Sequence, residues 1–263
     1  LWNTYAFFVL YANIDNFDAT KYTLDYDKLP IMDKWLLSKL NSVVKTVDDC
    51  LANYKIPESA RALQEFVDEM SNWYVRRSRE RFWAKGMEQD KINAYMTLYT
   101  SLVTISKVAA PMIPFMTEDI YQNLVRSIDK DAPESIHLCD FPVVDEAMIN
   151  PELEKNMAEV LKIVVLGRAA RNSANIKNRQ PIGDMYVKAP FEVPEELWNQ
   201  NDMKYIPVTD PEHIVLPQER ITPEKVWRRG AENPPEYMVV QGGLTDAMVK
   251  TLIMSNTDLK GKK

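Results

Sequence analysis

The sequence contains little glycine, cysteine and histidine, with seven, two and two of these residues in 263. No glycine-rich phosphate loop can be found in it, which argues against the common nucleotide-binding motifs. Cys50 and Cys139 belong to no motif, and such sparse use of cysteine fits a reducing compartment better than a secreted disulfide scaffold. We therefore expect a cytoplasmic protein.

The two histidines do not complete a catalytic or metal-binding set. His137 lies in SIHLCDFP and His213 in DPEHIVLP, and neither has a Ser, Cys or Asp partner in its sequence context. His137 and Cys139 could supply two zinc ligands, but no further Cys or His pair completes a four-ligand site. We expect no catalytic residues, no metal and no cofactor in this chain.

Excess positive charge and long apolar runs are also lacking. A formal charge of -6 argues against a protein that binds nucleic acid along its whole length, so any such contact is local. The apolar run from Tyr5 to Ala12 is too short to span a bilayer, and no basic leader precedes it. We expect no membrane association. Because the chain begins at Leu1 and enters a helical pattern at once, we expect a piece of a longer protein.

Helix-forming residues dominate up to about residue 175. Apolar residues at three- and four-residue steps predict helices near 31–51, from Pro57 through the segment 71–83, near 90–110 and near 115–128. Short connections favour a bundle. The sequence thus predicts a mainly α chain, with a helical bundle at 1–145 and a region at 146–263 that combines a junction helix from Pro151 to about Asn175 with mixed α/β or irregular structure. Two strand-like runs lie in that region, at 184–188 and 237–241.

The segment SNWYVRRSRERFW, at 71–83, holds four arginines and four aromatic residues. On a helical wheel that starts at Leu63 on the core face, four residues lie between about 160° and 220°, opposite the core: Asn72, Arg76, Arg79 and Trp83. We call these four residues the arginine stripe. Amide, guanidinium and indole groups suit unpaired RNA bases and phosphates, although a protein interface or a solvated helix face uses similar residues.

Two further arginines of this segment fall on the core side of the wheel. Arg77 and Arg81 are expected to pair with carboxylates or carbonyls, and acids are available nearby in sequence at Glu65, Asp68 and Glu69.

A second basic patch lies between Leu166 and Gln180, where four cations occur with no acid: Arg168, Arg171, Lys177 and Arg179. Two basic islands in an acidic chain indicate a polyanion that is bound at defined places. Cations near the C-terminal end of a helix are the alternative explanation for this patch.

Six segments together resemble isoleucyl-tRNA synthetases, of class I, in the region that follows the catalytic domain. They are LWNTYAFFVLYANID at 1–15, DKWLLSKLN at 33–41, SNWYVRRSRERFW at 71–83, SKVAAPMIPFMTEDIYQNL at 106–124, SIHLCDFP at 135–142 and ARNSANIKNRQPI at 170–182. The resemblance covers the chain up to about residue 190, and we recognise no similar segment after that residue. Valyl, leucyl and methionyl synthetases share the bundle, but NWYVRRSR and NIKNRQP favour isoleucine.

The resemblance implies an anticodon-binding domain that contacts the anticodon loop and stem of tRNA(Ile). The class I signatures HIGH and KMSKS are absent, so the chain is expected to be inactive alone and to act with the catalytic domain of its parent, which would use ATP and Mg. In related enzymes an Asn and an Arg four residues later approach the anticodon, and Asn72 and Arg76 have that spacing. The resemblance thus implies that Asn72 reads a base edge.

The remaining stripe residues and the second basic patch are assigned supporting roles. Arg76 and Arg79 would hold phosphates or bases, and Trp83 would stack on a base. The cations at 168–179 would hold the anticodon stem or the following domain. The alternatives are a helical scaffold that docks another domain through the stripe, the equivalent domain of a related synthetase, and a free-standing enzyme.

Overall fold

The computed structural model describes residues 1–173, 184–188, 205–207 and 237–241. Contacts divide the chain into two compact units, Leu1–Glu154 and Lys155–Lys263. The predicted domain boundary after residue 145 remains a prediction.

The first unit is a helical bundle, as predicted. Its helices are α1 (Trp2–Asp15), α2 (Ile31–Ala52), α3 (Ile56–Glu69), α4 (Arg76–Trp83), α5 (Gln89–Ala109) and α6 (Pro114–Tyr121), and α7 (Pro151–Ser173) begins at its end. A π-helical turn, Met70–Val75, joins α3 to α4, and a second one, Gln122–Arg126, extends α6. Short 3₁₀ turns cover Ala19–Lys21, Tyr26–Lys28, Ile136–Leu138 and Glu146–Met148.

Local sequence explains several helix ends. Pro57 stands in the first turn of α3 and Pro114 in that of α6, where the missing N–H is not needed. Asn16 ends α1 in the left-handed conformation, at φ 52°, which asparagine tolerates. The Asn150 side chain accepts a hydrogen bond from the Leu153 N–H at 3.0 Å and so caps the start of α7.

An aromatic cluster between α1, α4 and α5 forms part of the bundle core. The Tyr95 ring stacks on Phe17 at 4.6 Å between centroids and meets Phe82 edge-on at 4.9 Å. Phe8 also meets Tyr95 edge-on, at 5.9 Å. Edge-on and offset arrangements are the favoured geometries for aromatic pairs, so this cluster fixes α4 against its neighbours through Phe82.

The second unit contains a three-stranded parallel sheet in the order β2-β1-β3. Its strands are β1 (Asp184–Lys188), β2 (Tyr205–Pro207) and β3 (Tyr237–Gln241). Tyr186 pairs with Ile206 on one side and with Val239 on the other. The strands predicted at 184–188 and 237–241 are both present, so this unit combines helix and strand as expected. Within the described ranges, no helix has the length and apolarity needed to cross a membrane.

Candidate nucleic-acid interface

The four residues of the arginine stripe are all exposed, as the helical wheel predicts. Asn72 lies in the π-helical turn, and Arg76, Arg79 and Trp83 lie on α4. The Trp83 side chain is 55% exposed, which is unusual for so large an apolar ring. Two exposed guanidinium groups and an exposed indole therefore lie on one helix, and the exposed Asn72 amide lies in the turn that precedes it.

The path from α3 to α4 differs from the single α-helix that the sequence predicts. Five buried residues follow one another at steps of four: Phe66, Met70, Tyr74, Ser78 and Phe82. In an α-helix a step of four advances about 40° around the axis, so this series would turn away from the core. The π-helical turn accommodates one extra residue and brings Ser78 and Phe82 back to the core.

Arg81 pairs with carboxylates, as expected, but its partners come from other helices. Its Nη1 donates to Asp33 Oδ1 at 2.7 Å and its Nη2 to Asp33 Oδ2 at 2.8 Å, while its Nε donates to Asp90 Oδ2 at 2.9 Å. The structure therefore pairs Arg81 with Asp33 and Asp90, not with the acids of α3 that lie nearer in sequence. Asp33 stands in the first turn of α2 and is fully buried.

Tyr74 completes this arrangement from the π-helical turn. Its hydroxyl donates to Asp33 Oδ1 at 2.7 Å, and the side chain is fully buried. Burial is the largest cause that raises the pKa of Tyr74 well above its usual value, and the charge of Asp33 is the second. Burial alone would lower the pKa of Arg81, but the hydrogen bonds and charge of Asp33 reverse this and raise it. We call Asp33, Tyr74, Arg81 and Asp90 the Asp33 clamp.

Arg77 is half-buried beside the stripe. Its guanidinium lies 5.3 Å from the centroid of the Trp73 ring, a cation–π distance. This contact gives Arg77 a structural role, and the expected pairing of Arg77 with a carboxylate or carbonyl stays a prediction.

A second polar cluster holds the C-terminal end of α4, and sequence reasoning missed it. Lys91 Nζ donates to the Ala84 carbonyl at 2.8 Å and pairs with Asp15 Oδ2 at 2.6 Å. The Tyr95 hydroxyl donates to the same Asp15 oxygen at 2.5 Å, and burial together with this bond raises the pKa of Tyr95. Lys91 is only 3% exposed, and a buried lysine gives no signal in a sequence.

A shallow groove of about 310 Å³ runs from Asn72 along α3. It is lined by Arg61, Gln64, Glu65, Asp68, Glu69, Asn72 and Trp73. Glu69 is held by Lys39 at 3.1 Å, but burial outweighs this partner and raises the pKa of the Glu69 carboxyl. Three acidic residues and one arginine, Arg61, therefore line the groove at the Asn72 end of the stripe, and Arg76 and Arg79 lie beyond it.

The second basic patch is described in part. Arg168 is exposed on α7, and Arg171 is half-buried there, where burial lowers the pKa of its guanidinium. Lys177 and Arg179 lie outside the described residues. The role given to these four cations therefore stays a prediction. In the described part of the chain, no group of three or more His, Cys, Asp and Glu residues could hold a metal ion.

Comparison with known proteins identifies the bundle. A family model described as the anticodon-binding domain of tRNA ligase matches residues 33–187, more than half of the chain. The chain belongs to this family. The matched region of the anticodon-binding domain includes the arginine stripe, the Asp33 clamp and both described cations of the second basic patch.

The relatives agree with the resemblance stated from the six segments. An isoleucine–tRNA ligase of Clostridium tetani is 57% identical over 187 residues, which are 71% of this chain and 18% of that protein. The enzyme of Clostridium novyi is 58% identical over the same length. That of Dehalococcoides mccartyi is 40% identical over 250 residues, 92% of this chain and 24% of that protein. The similarity thus extends beyond residue 190, and the chain spans about a fifth of the curated relatives it matches.

Proposed function

We propose that this chain is the tRNA-binding part of an isoleucine–tRNA ligase. It binds the anticodon loop and stem of tRNA(Ile) and positions that tRNA for ATP-dependent aminoacylation at the catalytic domain of the parent enzyme. ATP and Mg act at that domain, in the cytoplasm. The observation that carries the proposal is the exposed arginine stripe inside a family-matched anticodon-binding domain.

Each stripe residue has a role that follows from its chemistry. The Asn72 amide both donates and accepts hydrogen bonds, so it can read the edge of an unpaired base. Arg76 and Arg79 are exposed guanidinium groups that bind phosphates through paired N–H donors. The exposed Trp83 ring offers a stacking surface, worth about 1–3 kcal/mol per base.

The charges in the groove beside Asn72 indicate how the RNA would be oriented on the arginine stripe. Glu65 and Asp68 repel phosphates, because like charges disfavour each other at short range. The RNA backbone is therefore expected to lie over Arg76 and Arg79, with bases directed toward Asn72 and the groove.

A salt series tests the proposal against a domain-docking scaffold. Phosphate contacts release counterions, so the affinity for an isoleucine tRNA transcript should fall steeply between about 50 and 200 mM salt. Absence of RNA binding, together with salt-insensitive docking of a catalytic domain supplied as a separate chain, would favour the scaffold instead.

A further inference from the structure

Two polar anchors on a single carboxylate tie the helix that carries the arginine stripe to the bundle. Tyr74 binds Asp33 from a position before Arg76 and Arg79, and Arg81 binds it from a position after them. The Arg81 contact uses two parallel N–H donors, which fix direction as well as distance. Two such anchors limit the rotation of the intervening helix about its own axis.

Rotation matters here because the π-helical turn sets the register of α4. Relaxation of Met70–Val75 to a regular α-helix would remove the room for one residue and rotate α4 by about 100° relative to α3. Ser78 would then leave the core, and the exposed face of α4 would change. The small Ser78 side chain offers little apolar surface to resist this change. The register therefore depends on Phe82 and on polar contacts, which are the two anchors on Asp33 and the hydrogen bond from Lys91 to the Ala84 carbonyl at the end of α4.

We propose that the Asp33 clamp holds the π-helical register and thereby positions the arginine stripe for RNA, which makes Tyr74 and Arg81 positioning residues. Neither residue needs to touch the RNA. The positioning role rests on the proposed function, whereas the hold on the register does not.

The register is tested by thiol labelling of the full 263-residue chain. Cys50 and Cys139 are replaced by serine, and Ser78→Cys introduces a thiol at a position that is 3% exposed. Adding Arg81→Lys, which keeps the charge but loses the paired donors, should raise the labelling rate of this thiol about tenfold or more, since labelling needs local opening. Tyr74→Phe should raise it by a smaller factor. Hydrogen exchange of the amides at 70–83, in variants that keep Ser78, checks the result independently.

Positioning is tested by anticodon selectivity, a ratio that a purely structural role leaves unchanged. The ratio compares the affinity for an isoleucine tRNA transcript with that for the same transcript carrying a swapped anticodon. Arg81→Lys should reduce this ratio about tenfold, and Tyr74→Phe by a few-fold. The control is Ile120→Val, which weakens packing at a fully buried position of α6. All affinities are measured below the onset of unfolding, and the control should keep the wild-type ratio.

The outcomes separate the two proposals. Unchanged labelling and unchanged selectivity in Arg81→Lys and Tyr74→Phe would overturn the clamp proposal while leaving the proposed function intact. Faster labelling with wild-type selectivity would overturn the positioning role alone. Absence of selectivity in the wild-type chain would contradict the proposed function and the positioning role together, and the labelling rates would still decide whether the clamp holds the register.

Discussion

Arg76 is the residue whose substitution tests the proposed RNA contact most directly. It is exposed in the first turn of α4, four residues after Asn72. Arg76→Glu reverses a charge on the solvent side, so it should weaken tRNA binding about tenfold or more at low salt without unfolding the domain. Filter binding measures the affinity for tRNA, and a thermal melt measures the stability of the domain.

Lys55→Glu is the matched control for this charge reversal. Lys55 is an exposed cation that immediately precedes α3, whereas the stripe lies after the end of that helix. A glutamate there is favourable near the start of a helix, so stability and RNA affinity should change little. Equal affinity of Arg76→Glu and wild type at moderate salt would remove Arg76 from the interface.

The raised pKa of Tyr74 predicts that the folded chain loses stability in alkali. An unfolded tyrosine titrates near about pH 10, whereas the pKa of Tyr74 in the folded chain is raised well above that value. Below about pH 10 its contribution to the free energy of unfolding is fully present. Above that pH the unfolded chain loses a proton that the folded chain keeps, so this contribution is lost as the pH rises toward the folded pKa.

Tyr74→Phe should therefore flatten the fall in stability above about pH 10, by up to about 1.4 kcal/mol per pH unit. Urea unfolding at several alkaline pH values measures the slope. Tyr54→Phe, at a side chain that is 90% exposed, is the control and should leave the slope unchanged. A Tyr74→Phe slope as steep as that of wild type would contradict this account.

At the scale of elements, the Asp33 clamp joins α2, α4 and the start of α5. Arg81→Met keeps much of the side-chain volume but leaves the buried Asp33 carboxylate without its cation. We expect a loss of about 3–5 kcal/mol in the free energy of unfolding, because an uncompensated charge remains in the core. Denaturant titration at neutral pH measures it.

Lys45→Met provides the comparison for this loss. Lys45 pairs with Glu146 at 2.7 Å, but their side chains are 51% and 68% exposed. Exposed pairs contribute about 0–1 kcal/mol, so this variant should be nearly as stable as wild type. Equal losses of unfolding free energy in Arg81→Met and Lys45→Met would show that burial does not determine how much an ion pair contributes to stability.

The start of α7 depends on a side-chain cap. Asn150→Ala removes the hydrogen bond to the Leu153 N–H and should cost about 1 kcal/mol, whereas Asn150→Asp should retain most of it. Thermal melts of the two variants compare them. Equal melting temperatures would show that Pro151 alone sets the start of the helix.

Helices with one continuous amphipathic pattern were predictable, because the spacing of apolar residues along the sequence directly gives the buried face of the helix. The predicted ends of α2 and α5 lie within about one residue of the observed ends. The π-helical turn was not predicted, since Ser78 is polar and conceals the steps of four that mark it. The partners of Arg81 were not predictable either, because Asp33 is 48 residues away in sequence and only the packing of helices brings them together.

At the scale of the whole molecule, the chain combines an anticodon-binding bundle with a second unit that contains a parallel sheet. It corresponds to between 18% and 24% of the length of its curated relatives. A tRNA is long enough to contact separate parts of a synthetase, and linked contacts bind more tightly than either contact alone. We therefore expect this chain to retain selectivity for the anticodon with a lower affinity than the parent enzyme.

The most direct test of the account is the affinity of the 263-residue chain for an isoleucine tRNA transcript and for the same transcript with a swapped anticodon, measured across a salt series. Tighter binding to the cognate anticodon, weakening steeply as salt rises, is the predicted result. Equal affinity for both transcripts at every salt concentration would contradict the claim that this chain reads the anticodon.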